Sequence, residues 1–427
     1  MTNVNKTDTA LETLREGRMS GAELTDATAA RSTSDTIRPA DLASALLDEL
    51  PAATSLRRDL HAAPDLTGQE ASTRDLVLSA MGAHGLGRIS RDNAEHVAET
   101  GAAIRVGGPG PAIAVRAELD ALAVTEETGV PWASARAGRM HACGHDVHMA
   151  ALVALSRAVA RMPGLPPLLA VLQPREESYP SGGQDIARSG VFRRHEVTSV
   201  IGAHVQPTLR GGVVAATPGP VNAAADEFSV TVAGAGGHAA YPHLTRDPVL
   251  ALASIVVDLQ HLVSRGVDPV EGAIVSVSTL AAGTAPNVVP DRAVATGTLR
   301  SVSRTTQNHL HQRLSEVARH LAQAHGCRAE IKIERGEPVL CNDPAIADRT
   351  LGLVEELGLT PAKPLRSFGS DDFSFLSEEV PGLMMFVGVD AGDRARLHGA
   401  TFLPPDQAVH DVAMAMLAGY LSAAASG

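Results

Sequence analysis

The chain has 427 residues, enough for two or three domains of ordinary size with substantial cores. Its formal net charge of −12 argues against nucleic acid or an anionic membrane as the partner. The three cysteines cannot form a disulfide framework, and an odd count suits a reducing compartment. The N-terminus lacks the apolar run of a secretory signal, and no apolar stretch is long enough to span a bilayer, so we expect a cytoplasmic protein.

Two interleaved domains are predicted from changes in the pattern along the chain. Residues 1–38 are rich in Thr, Ala, Ser and charge, which predicts a disordered extension. Residues 39–221 alternate helices with short buried strands, as α/β domains do. Residues 222–335 follow a βαββαβ order that predicts a separate α+β domain with one sheet covered by two helices. The first pattern resumes over residues 336–427, so the second domain interrupts the first.

Polar residues that could bind a ligand follow three predicted strands of the first domain. Asp120 follows one strand, Glu176 and Glu177 follow another, and His204 comes directly after a third. Open α/β sheets keep their chemistry at the carboxyl ends of their strands. The adjacent glutamates alone could equally be a solvated turn. Packing explains three such strand ends poorly, however, and we therefore predict a functional site at this edge.

An unusually dense group of potential metal ligands lies between residues 140 and 148, which include one thiol and three imidazoles. Thiolate and neutral imidazole suit zinc and its neighbours. Gly144 separates Cys143 from His145 and leaves room for a metal and a tight turn. A solvated loop with several histidines is the alternative interpretation. His398 lies in a late loop of the resumed domain and returns to the same predicted site.

Seven motifs in a fixed order reveal a family resemblance over roughly residues 41–423. They are His-Ala-Cys-Gly-His-Asp-Val-His at 141–148, Gln-Pro-Arg-Glu-Glu at 173–177, Gly-Ala-His-Val at 202–205, Gly-Gly-His-Ala-Ala-Tyr-Pro-His at 236–243, Pro-Asn-Val-Val-Pro at 286–290, Gly-Thr-Leu-Arg at 297–300 and Leu-His-Gly at 397–399. In these motifs the chain resembles the dinuclear-metal aminoacylase/carboxypeptidase superfamily. It is most similar to the N-acyl-amino-acid amidohydrolase branch, which includes hippurate hydrolases and indole-acetyl-amino-acid hydrolases.

The resemblance implies a catalytic domain with a mixed sheet between helices and an inserted lid domain that often mediates dimerisation. It also implies five metal ligands, which are Cys143, His145, Glu177, His204 and His398. We expect the thiolate to bridge two divalent ions, Zn²⁺ or Mn²⁺ with Co²⁺ as a third option. The two earlier histidines would then bind one ion, and the glutamate and the last histidine the other.

The remaining roles implied by the resemblance fall on five further residues. Glu176 matches the general base, and a base beside the metals must itself stay unligated. Asp120 matches an acid that orients a ligand imidazole. His238 and Asn287 lie in the lid, where family members hold the scissile carbonyl or the substrate carboxylate, often across the dimer. Arg300 could clamp a carboxylate or could be a solvated strand residue.

We therefore predict a metal-dependent hydrolase that cleaves N-acyl amino acids into a carboxylic acid and a free amino acid, acting as a homodimer. The alternatives are a dipeptidase or carboxypeptidase that uses the same metals, and a catalytically silent binding protein. The presence of a general base at Glu176 argues against a catalytically silent binding protein. Arg175 and Tyr179 depart from the family pattern close to the site, and we expect them to influence the choice of substrate.

Overall fold

The computed structural model describes residues 38–82, 94–390 and 396–425. The predicted N-terminal extension falls outside this part of the chain apart from Arg38, and its disorder stays a prediction. The α-helices of the described chain are, in order, α1 (Pro39–Leu47), α2 (Leu50–Ala62), α3 (Ala71–Gly82), α4 (His145–Arg161), α5 (Gly182–Ser189), α6 (Val191–Arg194), α7 (Pro248–Leu259), α8 (His261–Gly266), α9 (Arg304–Ala324), α10 (Pro344–Glu356), α11 (Phe373–Glu379) and α12 (Gln407–Ala424).

Strands of the described chain fall into one large sheet, one smaller sheet and two short pairs. In order they are β1 (Glu95–Val97), β2 (Gly101–Val106), β3 (Ala112–Glu118), β4 (Leu168–Gln173), β5 (Val197–Gln206), β6 (Val213–Ala215), β7 (Gly219–Asn222), β8 (Ala224–Ala233), β9 (Gly237–His238), β10 (Ala273–Ala282), β11 (Val288–Val289), β12 (Arg292–Ser301), β13 (Arg328–Arg335), β14 (Leu340–Asn342), β15 (Thr360–Pro361) and β16 (Gly382–Gly388).

The large sheet has the strand order β1-β2-β4-β3-β5-β16-β6-β15, and its four central strands, β4, β3, β5 and β16, run parallel. Successive side chains of a strand point to opposite faces. Ile113 and Val115 accordingly join one core, which contains helices α4 and α12. Ala112 and Ala114 join a second core on the other face, with Phe373 of α11. The sheet is therefore covered by helices on both faces, which is why its central strands are apolar throughout.

Helix α4 is the central element on the first face of the sheet. Its residues from His145 to Ala160 are all buried, because α4 packs against α2, α3, α12 and strand β3. The helix begins at His145, so the last part of the ligand-rich segment forms its first turn.

An inserted α+β domain, composed of β8 to β13 with α7, α8 and α9, contains the smaller sheet. The order of this sheet is β10-β12-β8-β13, and all neighbouring strands are antiparallel. Phe228, Val230 and Val232 of β8 pack beneath helices α7 and α9. Glu227 and the other alternate residues of β8 point to the opposite face. The predicted fold class, a mixed sheet between helices interrupted by a βαββαβ domain, is confirmed, whereas the predicted domain limits stay a prediction.

Among the helices of the described chain, none combines the length and the apolar character that a membrane span requires.

Candidate metal centre

Polar groups from three parallel strands meet at one edge of the large sheet. Asp120 follows the end of β3, Glu176 and Glu177 follow the end of β4, and His204 lies near the end of β5. These strands are neighbours and parallel, so their carboxyl ends lie side by side. The structure thus brings together the strand ends that the sequence singled out.

The loop before α4 carries Cys143 and His145 to the same edge. Gly144 has a φ of +86°, a left-handed conformation that favours glycine. A Cβ at this position would lie 2.6 Å from Cγ2 of Val205, on the strand that carries His204. Glycine therefore lets the thiol-bearing loop pack directly against β5.

Potential donor atoms of the predicted ligands fall into three overlapping groups in the described chain, and within each group the atoms lie within 4.8 Å of one another. The groups are Cys143, Glu177 and His398; His145, Glu176 and Glu177; and Glu118, His145, His148 and His204. A thiol, imidazoles and carboxylates at this spacing are a donor set suited to zinc or a similar ion. Because Glu177 and His145 each belong to two of these groups, the donors form one continuous cluster.

His398 reaches this cluster from the loop after β16. Its Nε2 lies 3.2 Å from Oε1 of Glu177, and its backbone N–H donates a hydrogen bond of 2.8 Å to the carbonyl of Ala142. His398 has a φ of +66°, which is uncommon for a residue with a side chain. The backbone contact holds the loop in this conformation next to the thiol-bearing segment.

His145 is oriented by Asp120, but through the backbone. The Nδ1 of His145 donates a hydrogen bond of 2.8 Å to the Asp120 carbonyl, whereas the Asp120 carboxylate lies 3.7 Å from that nitrogen. That carboxylate instead accepts hydrogen bonds from the backbone N–H of Glu177 and the hydroxyl of Thr67. Nε2 of His145 has no hydrogen-bond partner in the described chain and faces the carboxylates. A buried imidazole nitrogen of this kind is suited to a metal ion.

His204 also presents Nε2 to the cluster. Its Nδ1 donates to the carbonyl of Val205 at 2.8 Å, and its Nε2 lies 3.4 Å from Sγ of Cys143. Burial, together with the adjacent His148, lowers the pKa of His204 to about 4. The ring is therefore neutral at pH 7, the form that binds a metal.

Cys143 lies between the two parts of the cluster, near His204 on one side and near Glu177 and His398 on the other. Burial and the carboxylates of Glu177 and Glu176 raise the pKa of the thiol well above its usual value. A bound divalent cation acts in the opposite direction and deprotonates a coordinating thiol. The five predicted ligands therefore fit a metal centre.

The other two histidines of the ligand-rich segment are placed differently. His148 donates from Nδ1 to Glu118 at 2.9 Å, and its Nε2 accepts a hydrogen bond of 3.0 Å from the backbone N–H of Val205. Both of its ring nitrogens are therefore used within the protein. His141 is 1% exposed and belongs to none of the donor groups found in the described residues. Burial lowers the pKa of His141 to about 3, so its ring is neutral.

A buried guanidinium supports the acidic side of the site and could not be recognised from the motifs. Arg116 is 1% exposed and forms ion pairs with Glu118, Asp371 at 3.2 Å and Asp372 at 2.9 Å. Its Nε donates a hydrogen bond of 2.9 Å to Gln173. The only sequence signal was the pair of acids at 371–372, whose partner lies more than 250 positions earlier in the chain.

Glu176 faces these acids. Its carboxylate lies within 4.8 Å of those of Asp371 and Asp372. Burial and the charges of Asp371 and Glu177 raise the pKa of Glu176 well above its usual value. Like charges and burial both favour protonation of a carboxylate, so the surroundings make Glu176 an effective proton acceptor.

Arg175 and Tyr179 flank the two glutamates, and their side chains lie in different surroundings. Arg175 is 6% exposed, and its guanidinium binds the carbonyl of Pro180 and the carboxylate of Asp185, away from the donor cluster. Tyr179 is 60% exposed and lines a cavity beside the inserted domain. Of the two, only Tyr179 is therefore placed to meet a substrate.

The predicted substrate-binding residues of the inserted domain lie at its two ends. His238 on β9 pairs with Val288 on β11, and the carbonyl of Asn287 accepts a hydrogen bond from Ala239. His238 and Asn287 are thus neighbours at the tip. Nδ1 of His238 accepts a hydrogen bond from a backbone N–H at 3.1 Å, so Nε2 carries the proton in the neutral ring and can donate it to a ligand.

Arg300 lies at the opposite end of the inserted sheet from that tip. It pairs with Ala225 near the start of β8, whereas β9 follows the end of β8 at Ala233. Eight residues of strand separate these positions, or about 26 Å at roughly 3.3 Å per residue. Arg300 donates a hydrogen bond of 2.8 Å to the carbonyl of Phe368, outside the inserted domain.

Comparison with known proteins identifies clear relatives. Residues 114–425 match the sequence model of Peptidase family M20/M25/M40. The chain is 32% identical over 383 residues to an N-acetyldiaminopimelate deacetylase from Bacillus licheniformis, and the match covers 89% of this chain and all of the relative. A protein of the same name from Listeria monocytogenes is 33% identical over 362 residues, covering 83% of this chain and 95% of the relative.

A solved structure shares the whole architecture. It is a dinuclear metal-binding peptidase of the M20 family from Bacillus subtilis, with a TM-score of 0.76 and 27% sequence identity. The superposition covers 88% of this chain and 99% of that structure.

Replacing the shared thiol tests the metal centre. Because Cys143 contacts both parts of the donor cluster, Cys143→Ala should lose most of the bound metal, whereas the wild-type chain should hold two divalent ions. Cys327→Ala is the matched control, since Cys327 is also a buried free cysteine but lies in the inserted domain. Elemental analysis of protein loaded with Zn²⁺ or Mn²⁺ measures the content. Two ions per chain in Cys143→Ala would contradict the assignment.

Proposed function

The chain belongs to Peptidase family M20/M25/M40 and is a metal-dependent amidohydrolase, and we propose that it hydrolyses N-acyl amino acids to a carboxylic acid and a free amino acid. The observation that carries this proposal is the position of Glu176. This carboxylate adjoins the cluster of five proposed metal donors and faces a group of buried acids. Because it is not one of the proposed ligands, it can accept a proton and donate it again.

The metal donors divide between two ions in this proposal. Cys143 would be shared by the two ions, His145 and His204 would hold one of them, and Glu177 and His398 would hold the other. The contacts of the Cys143 thiol support this division, because it lies near His204 on one side and Glu177 on the other. When bound, two close divalent ions polarise an amide carbonyl and lower the pKa of water.

The main contribution of the protein's own side chains to the reaction is the transfer of one proton by Glu176. Glu176 accepts a proton from the water that attacks the amide carbon. It then delivers that proton to the nitrogen as the carbon–nitrogen bond breaks, so the products are a carboxylic acid and an amine. The backbone of Glu177, held by the Asp120 carboxylate, fixes the position of the neighbouring Glu176.

One feature narrows the range of expected substrates, and another concerns the cellular location. Relatives at 32–33% identity are named N-acetyldiaminopimelate deacetylases, which favours a short acyl group on an amino acid with a polar side chain. The three cysteines are free thiols in the described chain, which fits the predicted cytoplasmic location. Dipeptides, the substrates of the competing peptidase interpretation, should be poor substrates.

We further propose a homodimer in which His238 serves the site of the partner subunit. About 26 Å of strand β8 separates Ala225, the partner of Arg300, from Ala233, after which the chain continues to His238, and this separation supports a site that receives His238 from the other subunit. Nine of the twelve exposed large hydrophobic residues in the described chain belong to the inserted domain. Leu250 and Val257 are 57% and 62% exposed and lie seven residues apart on α7, which supports this helix face as part of the interface.

The adjacent glutamates should separate catalysis from metal binding. Glu176→Gln should keep both ions and lower turnover about 100-fold or more, because it removes the general base. Glu177→Gln is the matched variant and should lose metal, because it removes a ligand. Elemental analysis and the rate of acetate release from N-acetyl amino acids measure both effects. If Glu176→Gln emptied the site, the division of roles between the two glutamates would be wrong.

Mixed dimers should recover activity if His238 acts across the interface. Glu176→Gln and His238→Ala should each be nearly inactive as pure dimers. In the mixed dimer, one of the two sites combines wild-type Glu176 with wild-type His238 from the partner, so hydrolysis should return. The measurement is acetate release by heterodimers purified with two affinity tags.

Control heterodimers of Glu176→Gln with Cys143→Ala should stay inactive, because both residues belong to the same site and no wild-type site forms. Sedimentation should show a dimer for each variant. A monomeric wild-type protein, or an inactive His238 heterodimer, would contradict the shared site.

Asn287→Ala should mainly affect substrates with a free α-carboxylate. If Asn287 donates a hydrogen bond to this group, its loss should raise KM for an N-acetyl amino acid about tenfold. The corresponding amide, which lacks the carboxylate, should be affected less. An equal effect on both substrates would show that Asn287 does not bind the carboxylate.

A further inference from the structure

A cavity of about 400 Å³ lies between the inserted domain and the segments that carry the metal donors. Its walls include Tyr179, Glu227, Thr298, Arg300, Glu334 and Ser370. Glu227, Thr298, Arg300 and Glu334 belong to the inserted sheet, whereas Tyr179 and Ser370 belong to loops beside the large sheet. The volume lies within the range of small-molecule sites.

The charges on the inserted-sheet wall are arranged in an unusual way. Glu227 on β8 and Glu334 on β13 are direct cross-strand partners, and both point away from the helix-covered face. Like charges in directly opposite positions destabilise a sheet. Lys332, on the same face two residues from Glu334 along β13, forms no ion pair within the described residues, so it does not pair with either carboxylate.

A cationic side chain adjoins the two carboxylates. Arg300 is two residues from Thr298, which is the cross-strand partner of Glu227, and therefore projects from the same face. One of its nitrogens donates to the carbonyl of Phe368, which leaves other N–H groups of the guanidinium available. The wall thus offers a pair of hydrogen-bond acceptors for an ammonium group beside donors for a carboxylate.

The cavity adjoins the metal centre through two separate connections. Tyr179 lies two residues after Glu177, so their Cα atoms are at most about 7.6 Å apart. Ser370 precedes Asp371, whose carboxylate lies within 4.8 Å of that of Glu176. A substrate whose amide lies at Glu176 can therefore extend its far end towards the cavity.

We propose that this cavity binds the far end of a diamino-dicarboxylic acid substrate, with its free ammonium group between Glu227 and Glu334 and its distal carboxylate at Arg300. The inference rests on the proposed function and specifies it: the enzyme acts on N-acyl amino acids whose side chain ends in a second, unacylated amino acid group. Ammonium offers three N–H donors to the two carboxylates, and a guanidinium can bind a carboxylate through paired N–H groups.

Two substrates that differ in a single group test the inference with the metal-loaded enzyme. N-acetyldiaminopimelate has the distal ammonium, and N-acetyl-2-aminopimelate has hydrogen in its place. Wild-type kcat/KM should be at least about tenfold higher for the first, because hydrogen bonds to charged groups are lost with the second. In Glu227→Gln/Glu334→Gln this ratio should fall close to one.

Glu330→Gln is the matched control, because Glu330 projects from the same face of β13 but lies outside the cavity lining. It should keep the wild-type ratio. A wild-type ratio near one, or a double variant that keeps the preference, would overturn the inference.

Binding of the reaction products separates this inference from the proposed function. Calorimetry should show tighter binding of diaminopimelate than of 2-aminopimelate to the wild-type enzyme, and no such difference for the double variant. This measurement needs no turnover. Failure to hydrolyse either substrate would contradict the proposed function, whereas equal binding of the two products would contradict the cavity assignment alone.

Discussion

The site depends on one buried positive charge, the guanidinium of Arg116. It binds Glu118 on its own strand, Gln173 at the end of the neighbouring strand, and the acids Asp371 and Asp372 from a distant loop. Because the guanidinium offsets their negative charges, several carboxylates can lie close together in a part of the protein that is shielded from solvent. Removing one partner of a buried ion pair typically costs about 3–5 kcal/mol, because the other charge is left uncompensated.

Hydrogen bonds extend the effect of Arg116 to the strand that carries His204. Glu118 binds His148, and His148 accepts the backbone N–H of Val205. Asp372 also accepts hydrogen bonds from the hydroxyl of Ser181 and the backbone N–H of Gly183. The loop after the two glutamates is thereby tied to the same network, which connects the carboxyl ends of β3, β4 and β5.

The sequence contained enough information to predict the layered fold and the edge of the sheet where the site lies. Apolar runs that end in Asp120, in Glu176 with Glu177, and in His204 are local signals, and parallel strands convert them into spatial neighbours. The inserted βαββαβ order was likewise readable from strand alternation. In each case the signal lies within a few residues of the chain, and regular strand pairing brings the separate signals together.

Other features could not be predicted, because they depend on hydrogen bonds between distant parts of the chain. The resemblance named His145 as the ligand among His141, His145 and His148, but the physical reason for that choice, which is the set of contacts made by the ring nitrogens, appears only in the structure. Asp120 was expected to orient an imidazole, yet its backbone carbonyl makes that contact. The role of Arg116 depends on partners at 371–372, which no local pattern connects to it.

The chain enters and leaves the inserted sheet at almost the same point. Strands β7 and β14, just before and just after the segment, pair with each other, and Asp226 accepts a hydrogen bond from the backbone N–H of Gly336. In polymer terms, the inserted segment between β7 and β14 is a loop whose two ends are held together by the pairing of these strands. The entropy of closing a loop grows only with the logarithm of its length. Segments of very different size could therefore replace it during evolution at little cost to the large sheet, and new recognition surfaces could be added without rebuilding the metal centre.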